Sequence, residues 1–163
     1  MSGPISGLMS GPDAGQTLAE RVPVDVAVGV LVRTDASGAE REFLLTSRPE
    51  GKVYAGYWEF PGGKLEAGET VHEALRRELH EELGITIAAS EAWQELVMDY
   101  AHARVRLHFR KVRQWQGEFE MREGQAMAWE RLPVRSRPVL PGTIPVLQWF
   151  ASDWGHSGPT HEG

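Results

Sequence analysis

The sequence predicts an α/β domain, a mixed β-sheet lying between helices, on three observations. Pro23 opens a β-branched run, Val24 to Val32, that reads as a strand buried on both faces. Thr70 to Leu83, bracketed by Gly68 and Gly84, is rich in Glu, Leu, Arg and Ala, the composition of a helix with a glycine stop. Arg104 to Arg110 alternates, with Val105, Leu107 and Phe109 on one side and Arg104, Arg106, His108 and Arg110 on the other, as in a half-buried strand. Strands and helices are mixed instead of regularly alternating, which favours a mixed sheet between helices.

In chain order, residues 1–22 hold Gly3, Gly7, Gly11 and Gly15 with few charges and read as a flexible N-terminal tail. The domain is expected over residues 23–151. After the first strand, the polar stretch Thr34 to Glu40 suits a loop, and Glu42 to Thr46 reads as a second strand stopped by Ser47-Arg48-Pro49. Trp58-Glu59-Phe60 is a short strand running into the turn Pro61-Gly62-Gly63. The helix and the alternating strand follow. Pro145 to Phe150 then reads as a short closing helix with proline in its first turn. Residues 152–163, rich in glycine and polar side chains, are expected to form a flexible C-terminal tail. No internal repeat or second domain is visible.

The length, 163 residues, suits one domain. With 41% hydrophobic and 25% charged residues, the composition is that of an ordinary globular protein. The absence of cysteine excludes a disulfide framework, thiolate metal sites, iron–sulfur clusters and a thiol nucleophile, so any metal must use oxygen or imidazole ligands. The net charge of −6 argues against polymeric nucleic acid or an anionic membrane as the main partner. It leaves room for a small anionic substrate neutralised by a hard cation. Met1 to Glu20 carries neither a basic run nor a long apolar stretch, and no run of roughly 18 apolar residues occurs, so a cytoplasmic protein is expected.

The helix carries the chemistry. At 100° per residue, Glu78, Glu81 and Glu82 share an arc of about 100°, on or beside which Val71, Ala74 and Leu75 also fall. The acids therefore continue the apolar stripe. Like charges gathered there need something positive among them, a divalent cation or an arginine cluster. Mg²⁺ and Mn²⁺ prefer carboxylate oxygens and keep positions for water and phosphate. The shared arc favours that metal site over a solvated glutamate face. The preceding Pro61-Gly62-Gly63 permits close approach of backbone to a ligand.

Gly63, Glu69, Arg77, Glu78, Leu79, Glu81, Glu82, Gly84 and Ile85 fit the pattern Gly, five residues, Glu, seven residues, Arg-Glu-apolar-any-Glu-Glu-any-Gly-apolar. In this the chain resembles the Nudix hydrolase superfamily. Ala27-Val28-Gly29, Arg48, Trp58 to Gly63, Glu123-Gly124-Gln125 and Pro145 occur in the order of its MutT-type branch. The resemblance implies an α/β/α sandwich that uses Mg²⁺ or Mn²⁺ to hydrolyse a small-molecule nucleoside triphosphate to the monophosphate and pyrophosphate. Its model activity is the 8-oxo-dGTP diphosphatase of nucleotide-pool sanitation. It assigns the metal to Glu78, Glu81, Glu82 and the Gly62 carbonyl, with Glu123 joining from a later loop. Arg77 would orient the glutamates with Glu69 as its partner. Arg48 would meet the phosphates, Phe60 would line the base pocket, and either Glu78 or Glu123 would serve as general base. In 8-oxoguanine-specific members an asparagine before the closing helix reads the purine. Here that position is Thr143, whose single hydroxyl lacks an amide's paired donor and acceptor. The Ile144-Pro145 segment is similar to a group acting on CTP and other pyrimidine triphosphates, the alternative substrate class. A non-catalytic nucleotide sensor is the alternative of another kind, and such domains usually lose the acids this helix keeps.

Overall fold

A computed structural model describes residues 22–101 and 103–162. The expected N-terminal tail therefore lies outside the described residues, Val22 excepted. Among the described residues seven strands form one sheet: β1 (Val24–Thr34), β2 (Glu40–Ser47), β3 (Trp58–Glu59), β4 (Gly62–Lys64), β5 (Glu91–Asp99), β6 (Arg104–Val112) and β7 (Met127–Glu130). Two helices flank it, α1 (Val71–Leu83) and α2 (Ile144–Trp154), the second entered through a 3₁₀ turn at Pro141–Thr143.

β1 is the axis of the sheet. One edge runs parallel to β6 from Val24 to Leu31. The other is shared, by β4 opposite Val26 to Val28 and by β2 opposite Val32 to Thr34, both antiparallel. Between these partners Gly29 N donates to Pro61 O at 2.8 Å, so the segment Pro61-Gly62-Gly63 enters the sheet where its ladder divides. The expected turn thus leads directly into a strand, β4, which begins at Gly62. The parallel β1–β6 pair beside antiparallel neighbours makes the sheet mixed, as expected.

Period-two alternation sorts β1 between two cores. Val26, Val28, Val30 and Val32 join Phe43, Phe109 and the α2 residues Val146, Leu147 and Phe150. Ala27 and Leu31 join Leu44 and the α1 residues Ala74, Leu75, Leu79 and Leu83. The chain is therefore the α/β/α sandwich that the resemblance implied. Each fully buried Leu, Val or Phe contributes roughly 1.5–3 kcal/mol. A Cβ at Gly29 would lie 3.0 Å from the Leu75 side chain, so the missing methyl lets α1 settle on the strand.

α1 begins at a capping box: Thr70 Oγ1 accepts from Glu73 N at 3.1 Å and Glu73 Oε1 accepts from Thr70 N at 2.8 Å. It stops at Gly84, in the left-handed region at φ 74°. Residues 152–162 depart from the expected tail. α2 continues to Trp154, Val134 N donates to Thr160 O at 2.8 Å, and Thr160 is buried. The stretch lacks periodicity because backbone hydrogen bonds, not an apolar face, fasten it to the domain.

Candidate active site

The capped helix delivers its acids unequally. Glu78 is 0% exposed and Glu82 6%, whereas the Glu81 side chain, at the rim of the arc, is 47% exposed. Gly63 makes the close fit at Glu78 possible, since a Cβ there would stand 2.4 Å from the carboxylate. At Gly62 a Cβ would meet the Ala27 carbonyl oxygen at 2.0 Å. The two glycines thus serve the approach of β4 to β1 and of β4 to α1.

Arg77 gathers the acidic side chains around it. Nε and Nη2 donate to the two Glu69 oxygens at 2.7 and 2.8 Å, Nη1 to Glu78 Oε2 at 3.1 Å, and Nη2 also to Lys64 O at 3.2 Å. Glu81 Oε2 lies 3.5 Å from Nη1. The Arg77 hydrogen bonds hold Glu69 below the usual carboxylate range.

The loop bearing Glu123 is tied to the C-terminal end of α1, where helix carbonyls lack intrahelical donors. Glu120 N donates to Leu83 O at 2.8 Å, Arg122 N to Glu82 O at 3.1 Å and Arg122 Nη1 to His80 O at 3.0 Å. Buried Gln125 links both partners: Nε2 donates to Glu82 O at 3.3 Å and Oε1 accepts from Glu123 N at 3.0 Å. The helix that carries three of the acids thereby sets the place of the fourth.

Burial pushes Glu82 well above the usual carboxylate range, and the charges of Glu78, Glu123 and Glu59 push it further. Glu123 is raised first by burial, then by Glu78 and Glu81, against the pull of Lys52. Glu59 is raised to about 7 by burial despite Arg48. That acid, within the quoted Trp58 to Gly63 segment, was given no role by the sequence. Its strand placement signalled burial, but its partner was not visible.

Arg48 lies differently from the expectation of a guanidinium open to phosphate. Its side chain is fully buried, with Nη1 donating to both Glu59 oxygens at 2.9 and 3.0 Å and Nε to Val53 O at 2.8 Å. Only Nη2 is left without a partner. Phe60 and Thr143 do converge, with Val28, Glu59, Leu107 and Gly142, on one small cavity. Phe60 is tilted against Phe43 with centroids 5.5 Å apart, and Thr143 is 3% exposed. Trp115 and Trp129 stack on each other and Trp149 packs against Trp93 and Phe109, so these rings belong to the packed interior.

Among the described residues, four buried polar side-chain atoms lack a hydrogen-bond partner: Glu78 Oε1, Glu82 Oε2, Arg48 Nη2 and Tyr100 Oη. Native folds leave few such atoms. Three of these four are linked through Glu59, which acts electrostatically on Glu82 and Tyr100 and pairs with Arg48. No three acidic or imidazole side chains are already gathered as a metal cage among the described residues. The two orphaned carboxylate oxygens nevertheless fit a hard divalent cation, which takes oxygen ligands and relieves their mutual repulsion.

A family model of the NUDIX domain matches residues 23–150. An 8-oxo-dGTP diphosphatase of Haemophilus influenzae is 39% identical over 106 residues, 65% of this chain and 74% of its own. A CTP pyrophosphohydrolase of Escherichia coli is 34% identical over 123 residues, 74% and 91% of the two chains. A MutT structure from a study of Aliivibrio salmonicida and Vibrio cholerae superposes with a TM-score of 0.65 at 30% identity, covering 81% of this chain and 99% of that one. With the complete acidic helix in place, the chain belongs to the Nudix family and is a Nudix hydrolase.

Proposed function

We propose that the protein hydrolyses a nucleoside triphosphate to the monophosphate and pyrophosphate with Mg²⁺ or Mn²⁺, and that oxidised purine nucleotides such as 8-oxo-dGTP are its preferred class. The observation that carries this reading is the set of orphaned polar atoms: two carboxylate oxygens for a cation, one guanidinium nitrogen for an anion, and a hydroxyl beside an apolar cavity. The names borne by relatives at 34–39% identity support the substrate class.

Glu78, Glu81, Glu82, Glu123 and the Gly62 carbonyl would hold the cation, which when bound neutralises the polyphosphate and polarises the phosphorus under attack. Arg77, held by Glu69, keeps Glu78 aligned. Arg48 offers Nη2 alone to a phosphate oxygen, its other nitrogens being engaged. Phe60 and Thr143 border the base cavity. We assign proton removal from the attacking water to Glu123. Glu78 is wholly buried and bound by Arg77, whereas Glu123 is half-buried and its proton affinity is raised by burial and by Glu78 and Glu81. The Thr143 hydroxyl favours CTP as the second reading, because threonine cannot match a purine edge as an amide can.

Purified protein assayed with Mg²⁺ against 8-oxo-dGTP, dGTP, CTP, 5-methyl-dCTP and ADP-ribose tests the proposal. Pyrophosphate release highest with 8-oxo-dGTP and abolished by chelator is expected. Highest activity on CTP selects the second reading, and preference for ADP-ribose overturns both.

A further inference from the structure

Tyr100 belongs to no motif, yet its hydroxyl is buried without a hydrogen-bond partner among the described residues. The residue follows β5, and its N–H donates to Ala103 O at 2.8 Å, which closes the connection to β6. The ring thereby reaches the far side of the sheet, where α2 begins. A Cβ on Gly142 would lie 3.3 Å from Tyr100 Oη and 3.5 Å from Leu107 Cδ1. Gly142 and Leu107 both line the cavity bordered by Phe60 and Thr143. The hydroxyl therefore lies next to two residues of that cavity's lining, in room that a methyl on Gly142 would tighten. Burial and the nearby Glu59 carboxylate push it up to about 12, so it stays a neutral donor and acceptor at any working pH.

We propose that Tyr100 is a specificity-determining residue whose hydroxyl hydrogen-bonds the edge of the nucleobase. This rests on the proposed nucleotide chemistry of the same site. An unpartnered buried hydroxyl is a cost of the free protein that a polar base edge removes on binding. A base lacking a matching group leaves the cost in place, and that difference is discrimination. Thr143 Oγ1 at the cavity, which donates to Trp58 O at 3.5 Å, and Tyr100 Oη beside it are two hydroxyls where an amide would supply a paired donor and acceptor. Gly142 matters as the residue whose missing methyl relieves crowding at the Tyr100 hydroxyl, 3.3 Å from where that methyl would lie.

The test compares the full chain with its Tyr100→Phe variant. Calorimetric titration with 8-oxo-dGMP, dGMP and CMP in Mg²⁺ is combined with steady-state kinetics on the triphosphates and thermal melts without nucleotide. Loss of one neutral hydrogen bond is worth about tenfold. Affinity for the best-bound base is expected to fall by that factor, the spread among bases to narrow, and the loss to sit in KM. The nucleotide-free Tm should hold or rise, since the removed hydroxyl had no partner. An unchanged ranking of bases, or an equal loss for all three, would overturn the assignment, as would a lowered Tm with unaltered selectivity. Wild type that binds none of the three overturns the nucleotide reading and this inference together. Wild type that binds while Tyr100→Phe keeps its ranking sinks only this inference.

Discussion

Glu78 and Glu82 are both buried glutamates of α1 with an oxygen lacking a partner, but they respond differently to amidation. Glu78 Oε2 is held by Arg77, so Glu78→Gln puts an amide nitrogen beside a guanidinium or turns its one good acceptor away. Loss of such electrostatic preorganisation costs on the order of 10²–10³ in kcat, and initial rates with Mg²⁺ on the best nucleotide should show it. Glu82 already resists ionisation, through burial and then through Glu78. In Glu82→Gln an amide hydrogen can be donated to the orphaned Glu78 Oε1. Activity should fall while the chelated protein melts higher than wild type; a lower Tm for the chelated variant would contradict the buried repulsion. Arg77 and its partner Glu69 were readable from their place in the motif. Arg48 was readable as a site residue but not as buried, because its confinement depends on Glu59 and Val53, which the chain brings to it only after the turn.

At the level of elements, α1 and β1 were legible because each satisfies one periodicity over its whole length, and the capping box and Gly84 fix the helix ends. β5 was not. Its register shifts between Ala92 and Gln94, so Trp93, Leu96 and Met98 face the core at spacings of three and then two, and the alternation expected of a strand is broken. β7 is four residues long and takes its identity from its ladder with β2. β4 was hidden because glycines carry no side-chain pattern. That strand also makes a discriminating pair of variants. Gly62→Ala drives a methyl against the Ala27 carbonyl, and rigid backbone cannot yield. Several kcal/mol of destabilisation is expected, about 3 or more, within the range of severe packing defects. Gly63→Ala meets the Glu78 side chain instead, which can turn away. This protein should fold, with a Tm within a few degrees of wild type, and lose activity about as Glu78→Gln does. Circular dichroism melts and initial rates separate the two cases.

Over the whole molecule the net charge of −6 is unevenly spent. Glu40, Glu42 and Glu69 are paired with Lys111, Arg33 and Arg77 and stay ionised, whereas Glu59, Glu82 and Glu123 are raised by burial and by one another. The two groups act oppositely on stability. The lowered set contributes above its unfolded pKa near 4.5 and loses that contribution as pH falls further. The raised set binds more protons folded than unfolded, so from about 4.5 upward each withdraws stability as it is forced to ionise, until its folded pKa is passed. For Glu59 that pKa is about 7, and the slope is at most about 1.4 kcal/mol per pH unit. The chelated protein should therefore be less stable at pH 7.5 than at pH 5.5 in urea titrations. A divalent cation reverses the sign of the local field, since it prefers the ionised acids. At a concentration of 100 times its Kd it adds about 2.7 kcal/mol at the pH where it binds. Mg²⁺ should thus stabilise strongly at pH 7.5 and weakly at pH 5.5, and erase or invert the pH slope of the chelated protein. Glu82→Gln should flatten that slope in chelator and blunt the response to Mg²⁺. Equal stabilisation by Mg²⁺ at both pH values would place its binding away from the buried acids.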